Sequence, residues 1–193
     1  MKKIVVINGH PNKESFNSAI AHSYINSALA AGSEVRYIAI GELDFNPNLR
    51  FGYRQRMELE PDLVKAMEDI QWSKHQVWVH PLWWLGMPAI MKGFFDRAFL
   101  PGITFKNNKQ GSSEGLLKGK TGRIITTAGD LCLKTYEEAY RSSGLVQLQK
   151  GILEYCGVSS IQSDFIGPLY ELNEKDRKEW MQRIKDLAAL DSI

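Results

Sequence analysis

The segment from His75 to Arg97 constrains this chain most tightly. Val77-Trp78-Val79 is a short apolar run, Pro81-Leu82-Trp83-Trp84-Leu85-Gly86 interrupts it, and Pro88 opens a helical pattern through Ile90, Met91, Phe94, Phe95 and Ala98. These features describe a buried strand, a loop at its carboxyl end, and a helix. A connection normally leaves the core and turns polar, yet this one carries two adjacent indoles. Two explanations stand. Either the rings fill the core beneath a helix or at a subunit interface, or they face a planar ligand across the carboxyl edge of a parallel sheet, where open α/β sheets bind their ligands.

The same pattern recurs along the chain. Lys3 to Ile7 is a β-branched run released at Asn8-Gly9-His10-Pro11, and Phe16, Ile20, Tyr24 and Ala28 follow at helical spacing. Glu34 to Ile40 reads as a second strand, and Pro61 starts a helix with Leu63, Val64, Met67 and Ile70 on one face. Leu100 to Lys118 is a polar excursion expected beside the site. Gly122 to Gly129 gives a fourth strand, and Leu145, Leu148, Ile152 and Tyr155 a fourth helix. Val158 to Ile166 gives a fifth strand, and Asn173 caps a last helix that buries Trp180, Ile184, Leu187 and Ala188. Alternating strands and helices with right-handed crossovers make an α/β fold with a parallel sheet covered on both faces. The first loop lacks G-x-G-x-x-G, so a flavodoxin-like, doubly wound five-stranded sheet of order 2-1-3-4-5 is expected rather than a dinucleotide fold.

A chain of 193 residues, 44% of them hydrophobic, suits one flavodoxin-like domain over 1–193, with no linker or repeat. A net charge of +2 without a basic stripe argues against nucleic acid. Cys132 and Cys156 lack neighbours at metal-ligand spacing, so no metal is expected and a reducing compartment fits. Ile4 to Ile7 is shorter than the roughly 7–15 apolar residues of a signal peptide. No run reaches the roughly 18 of a membrane span. A cytoplasmic protein without membrane insertion is the expectation.

Three loops then converge at one edge of the sheet: His10 to Asn17, Pro81 to Gly86, and Thr126 to Asp130. The first ends at a helix start, an anion site to which Ser15, Asn17 and Ser18 add short polar groups, although Ser15 and Asn17 also suit plain helix caps. His10 either pairs with phosphate or is a satisfied loop histidine. His80 reads as a structural residue at the strand end, and His22 and His75 as surface positions.

The segments Gly9 to Ser18, Pro81 to Arg97, Thr126 to Gly129 and Gly151 to Gly157 resemble the NAD(P)H:quinone oxidoreductase (DT-diaphorase) family of flavoproteins. The resemblance implies a bound FAD, with FMN as the alternative, reduced by NAD(P)H and reoxidised by a quinone or similar acceptor in a ping-pong cycle, in a homodimer. It places His10, Phe16 and Asn17 at the phosphates, Pro81 and Leu82, Trp83, Trp84 and Leu85 at the ring, and Thr126, Thr127, Ala128 and Gly129 at the ring's polar edge. Arg177 matches a family position on the adenosine side, and Phe51, Tyr53 and Arg54 in the long Asn46–Pro61 connection are placed to flank an adenine. The family's tyrosine and histidine of the hydride step do not carry over in register. Tyr136 falls slightly later, with Tyr140 as a second pocket residue, and no histidine follows. Some relatives act beside ion transporters, so a flavin-binding regulatory subunit is the alternative function.

Overall fold

The computed structural model describes residues 1–108 and 112–193. In chain order the elements begin β1 (Lys3–Asn8), α1 (Phe16–Ala30), β2 (Glu34–Ala39), α2 (Pro61–Trp72), β3 (His75–Pro81) and α3 (Ala89–Ala98). A hairpin of β4 (Phe105–Asn107) and β5 (Ser113–Gly115) precedes β6 (Thr121–Thr127). Short α4 (Leu133–Glu138) and α5 (Ser143–Val146) lead into a π-helical stretch, Gln147–Glu154, then β7 (Ser159–Ile166) and α6 (Glu174–Asp191). The five long strands are all parallel, in the order β2-β1-β3-β6-β7. This is the doubly wound, flavodoxin-like order expected from the sequence.

Side chains alternate across each strand, and the two faces of the sheet become two cores. Ile4, Val6, Val77, Val79 and Ile125 pack beneath Ile20, Tyr24 and Ala28 of α1 and Ile184 and Ala188 of α6. Val5, Ile7, Trp78 and Ile124 face Leu63, Met67 and Ile70 of α2, the Phe94–Phe95 pair of α3, and Leu148 and Leu153. Trp78 is fully buried against Phe95 and Phe99, at ring distances of 4.9 and 6.2 Å. Of the three tryptophans in the central segment, this one fills the core.

Three expectations change. Val64 is exposed, because the burying stripe of α2 runs through Leu63, Ala66, Met67 and Ile70. The fourth helix turns to π geometry, whose wider turn shifts the inward face. Leu148 and Leu153 are therefore buried, whereas Tyr155 is exposed. His75 is buried, not at the surface: it opens β3 between β1 and β6, its Nδ1 lies 2.7 Å from Thr121 Oγ1, and Asp191 at the end of α6 lies 3.4 Å from its Nε2.

Asp191 belongs to a buried ionic cluster near the amino ends of the strands. Arg123 donates to Asp164 at 2.6 Å and to Asp191 at 2.5 and 2.9 Å, and the Tyr24 hydroxyl donates to Asp191 at 2.7 Å. Buried charges persist only when paired and hydrogen-bonded, and here the pairing fastens α6 and α1 to the sheet. Among the described residues no helix is long and apolar enough to cross a membrane.

Candidate active site

At the carboxyl ends of the strands lies an open cleft of about 520 Å³, lined by His10, Asn12, Ser15, Phe16, Asn17, Pro81, Leu82, Trp83, Trp84, Thr127, Gly129, Asp130, Leu169 and Tyr170. The three loops expected from the sequence meet here. A fourth, after β7, joins them.

The indole loop is shaped by its backbone. The Leu82 N–H donates to Thr127 O at 2.7 Å, extending the ladder past β3, and Trp83 and Gly86 then exchange N–H donors at 2.9 and 3.0 Å across a two-residue turn. Its central residues, Trp84 and Leu85, have φ of 51° and 61°. Such backbone costs roughly 1–2 kcal/mol for each residue bearing a Cβ, so the turn must be held from outside. Gly144 holds it: a Cβ on that glycine would lie 2.5 Å from Leu85 O. Trp84 is thereby presented wholly to solvent at the rim, and Trp83 is half exposed with its ring 5.4 Å from His10. Neither indole enters the core of this chain.

The first loop supplies hydrogen-bond donors. Ser15 caps α1 by accepting the Ser18 N–H at 3.2 Å, and the buried Ser18 hydroxyl accepts from Asn8 Nδ2 at 2.9 Å. Both serines thus serve the helix. His10 Nδ1 accepts the Asn12 N–H at 2.9 Å, which leaves the proton on Nε2, and burial lowers the pKa of the imidazole. Asn17 is buried: its Oδ1 accepts from the Thr127 hydroxyl at 3.1 Å, while its Nδ2 has no partner among the described residues. An unpaired buried amide costs about 1–3 kcal/mol, and this one adjoins the first N–H groups of α1, which have no intrahelical acceptors. Together they form an anion-binding corner.

The opposite wall combines the loops after β6 and β7. Ala128 O and Gly129 O accept from the N–H groups of Leu169 and Tyr170 at 2.8 and 3.0 Å, and the Tyr170 ring lies 3.0 Å from where a Cβ on Gly129 would stand. Arg177 braces this wall from behind. It donates to Leu169 O at 2.9 Å and to Leu172 O at 3.3 Å, with its guanidinium 5.4 Å from the Phe16 ring centre. The sequence reading placed Asn12 and Asp130 in the converging loops without singling them out, and missed Leu169 and Tyr170. The signal for the last two was Gly167-Pro168 at the end of the fifth strand, the same turn chemistry that marks the ends of β1 and β3.

Other candidates lie outside the lining. The Thr126 hydroxyl turns to His80 Nε2 at 3.3 Å, and His80, fully buried, is pushed down to about 4 by desolvation. His80 is thus the structural residue expected. Ser18, Leu85, Ala128 and Arg177 support the walls from within or behind. Tyr136 is buried against Phe165, and its hydroxyl accepts the Leu145 N–H at 2.8 Å, so it builds the α4–α5 region and not the cleft. Tyr140 and the described residues between Leu100 and Lys118 are likewise absent from the lining. Tyr53 lines a separate groove with Leu49, Arg56, Met57, Leu100 and Pro101, and Phe51 and Arg54 line neither. Arg97 fastens that region by donating to Glu60 at 2.8 Å, to Glu58 O at 2.9 Å and to Asn46 O.

The cleft therefore offers an anion corner at α1, a flat apolar surface at Leu82 and Trp83, and a polar edge at Thr127 and Gly129. A planar ring carrying a phosphorylated tail fits that sequence of surfaces, and it would give the orphaned Asn17 amide a partner.

Comparison with known proteins agrees with the fold. Residues 2–189 match the family model described as Flavodoxin-like fold. An uncharacterized NAD(P)H oxidoreductase of Haemophilus influenzae is 30% identical, covering 92% of this chain and 90% of the relative. The NAD(P)H dehydrogenase [quinone] 1 of Rattus norvegicus is 21% identical, covering 86% of this chain and 69% of its own length. Among solved structures, an FMN-dependent NADH-azoreductase from Bacillus anthracis in complex with FMN superposes with a TM-score of 0.78 at 18% identity, covering 100% of both chains. The NAD(P)H:quinone oxidoreductase of Methanothermobacter marburgensis gives 0.79 at 18% identity, covering 96% of each.

Proposed function

We infer that this chain, which belongs to the flavodoxin-like fold family, is a flavin-dependent NAD(P)H oxidoreductase that delivers electrons to a quinone or similar planar acceptor. The observation that carries this is the buried, unpaired Asn17 amide at the start of α1, facing a cleft whose centre is Leu82 and Trp83. The Haemophilus relative, named as an NAD(P)H oxidoreductase, supports the same reaction class.

When bound, the flavin supplies the two-electron chemistry between nicotinamide and acceptor. The protein's part is to bind and orient. The α1 N–H groups, the His10 Nε2–H and the Asn17 amide would hold the phosphate. Leu82 and Trp83 would cover the ring and exclude water, and the N–H groups of the Gly129 loop would stabilise negative charge at its polar edge.

The flavin is proposed to be FAD, with FMN as the alternative. The support is Arg177 against Phe16, since Phe51, Tyr53 and Arg54 lie away from this cleft. A homodimer is proposed because Trp83, Trp84 and Tyr170 leave large apolar surfaces exposed at one rim. The free cysteines suit the cytoplasm. Purification tests the reading: a yellow protein should oxidise NADH or NADPH in the presence of a naphthoquinone. A preparation that takes up neither FAD nor FMN would refute it, and heat release followed by chromatography identifies the flavin.

A further inference from the structure

The cleft is electrically lopsided. Its lining is neutral apart from Asp130: the asparagines, Ser15, Thr127 and the aromatic residues carry no charge, and burial favours the neutral form of His10. Arg177, which is not itself in the lining, meets the wall through the carbonyls of Leu169 and Leu172 and the Phe16 ring. Asp130 is exposed and makes no hydrogen bond or ion pair among the described residues. It lines the same cleft as the donors of α1, on the loop where Gly129 meets Tyr170. A free carboxylate in an otherwise neutral lining repels anionic groups of a ligand that come near it, whereas the donors of α1 accept them.

We propose that Asp130 determines acceptor specificity, so that the enzyme takes uncharged or cationic quinone-like or azo-type rings and disfavours rings bearing sulfonate or carboxylate groups. This rests on the oxidoreductase reading above and names the substrate class of that same site. Like charges a few ångströms apart repel, but an exposed carboxylate is screened by water and salt, and the effect of one such charge is a modest factor and not an absolute bar. A structural role would leave a different mark. Asp130 caps no helix and holds no backbone group among the described residues, so its replacement should alter selection without altering the fold.

The test compares 1,4-naphthoquinone with its 2-sulfonate, using flavin-loaded wild type, Asp130→Asn and Asp130→Glu. Two ratios are read: the ratio of kcat/KM values, and the ratio of dissociation constants from quenching of tryptophan fluorescence. Asp130→Asn should shift both ratios toward the sulfonate by about 3- to 10-fold at low ionic strength, the shift should shrink as salt is added, and Asp130→Glu should keep the wild-type ratios. Identical ratios in wild type and Asp130→Asn overturn the proposal, even with turnover intact. If neither quinone is reduced but the binding ratio still follows the charge at position 130, the acceptor filter stands and the oxidoreductase reading falls.

Discussion

Thr127 and Asn17 are joined across the floor of the cleft, the threonine hydroxyl donating to Asn17 Oδ1 at 3.1 Å and leaving the amide nitrogen buried without a partner among the described residues. This bond ties the start of α1 to the end of β6 and holds the amide toward the anion corner. Asn17→Asp keeps the acceptor for Thr127 but replaces the free donor by a negative charge. The flavin dissociation constant should rise by at least ~10-fold, equivalent to about 1.4 kcal/mol. Fluorescence titration of the stripped protein measures it. Unchanged affinity would show that the amide does not reach the cofactor.

Trp84 separates stability from function. Its indole is fully exposed and its φ is 51°, so Trp84→Gly removes strain without removing core packing. Glycine at such a position should leave the melting temperature unchanged or raise the stability by about 0.5–1 kcal/mol, the two effects of relieved strain and added chain freedom partly cancelling. Flavin retention or turnover should fall nonetheless, by roughly 1 kcal/mol or more if the ring contact is made. A large drop in melting temperature with normal flavin content would assign the indole to packing instead.

Gly144 lies far from the indole turn in sequence and against it in space. In Gly144→Ala the new methyl would stand 2.5 Å from Leu85 O and 3.2 Å from the Tyr136 hydroxyl oxygen, so the turn must shift. Overpacking of this kind typically costs about 1–3 kcal/mol. Flavin content after purification should fall together with the denaturation midpoint, whereas Gly151→Ala, where an added Cβ meets nothing within 4 Å, should leave flavin content as it is.

His80 sets a pH dependence whose sign is fixed by burial. Its pKa lies near 4 in the folded protein against 6.5 for an ordinary histidine, so between those values the unfolded chain binds the extra proton and the folded chain does not. Stability should therefore fall as pH is lowered from about 6.5 toward 4, by up to roughly 3 kcal/mol from this residue alone. Urea midpoints for wild type and His80→Gln at pH 7 and pH 4.5 isolate the contribution. Equal losses in the two proteins would remove His80 as the cause.

The strands and most of the first site loop were legible because their signals are local. The β-branched run of β1, the serine before Phe16 and the proline before Ala89 each act on the backbone beside them. Pairing order followed from crossover handedness and the absence of a glycine fingerprint. What the sequence could not show was which polar atoms were already committed: the Thr126 hydroxyl goes to His80 and the Ser18 hydroxyl to Asn8, whereas Asn17 keeps a free donor. The Tyr170 wall and the burial of His75 escaped for a related reason, since both depend on α6 and β7 returning to lie beside segments made much earlier. The π-helical turn escaped because no local residue marks it, and it brings Leu153 into the core beside the partly buried Ile152 while Tyr155 stays exposed.

The dependence of the Leu85 turn on Gly144, and of Gly129 on Tyr170, also orders events during synthesis. When β3 and the indole loop leave the ribosome, the glycine that holds their turn has not been made, and neither has the tyrosine that closes the far wall. Both contacts join distant parts of the chain and must await closure of long loops. The cleft in its final shape thus exists only once residue 170 has emerged and β7 has added to the sheet edge. Ligand uptake by this cleft therefore follows, and does not accompany, synthesis of its first two loops.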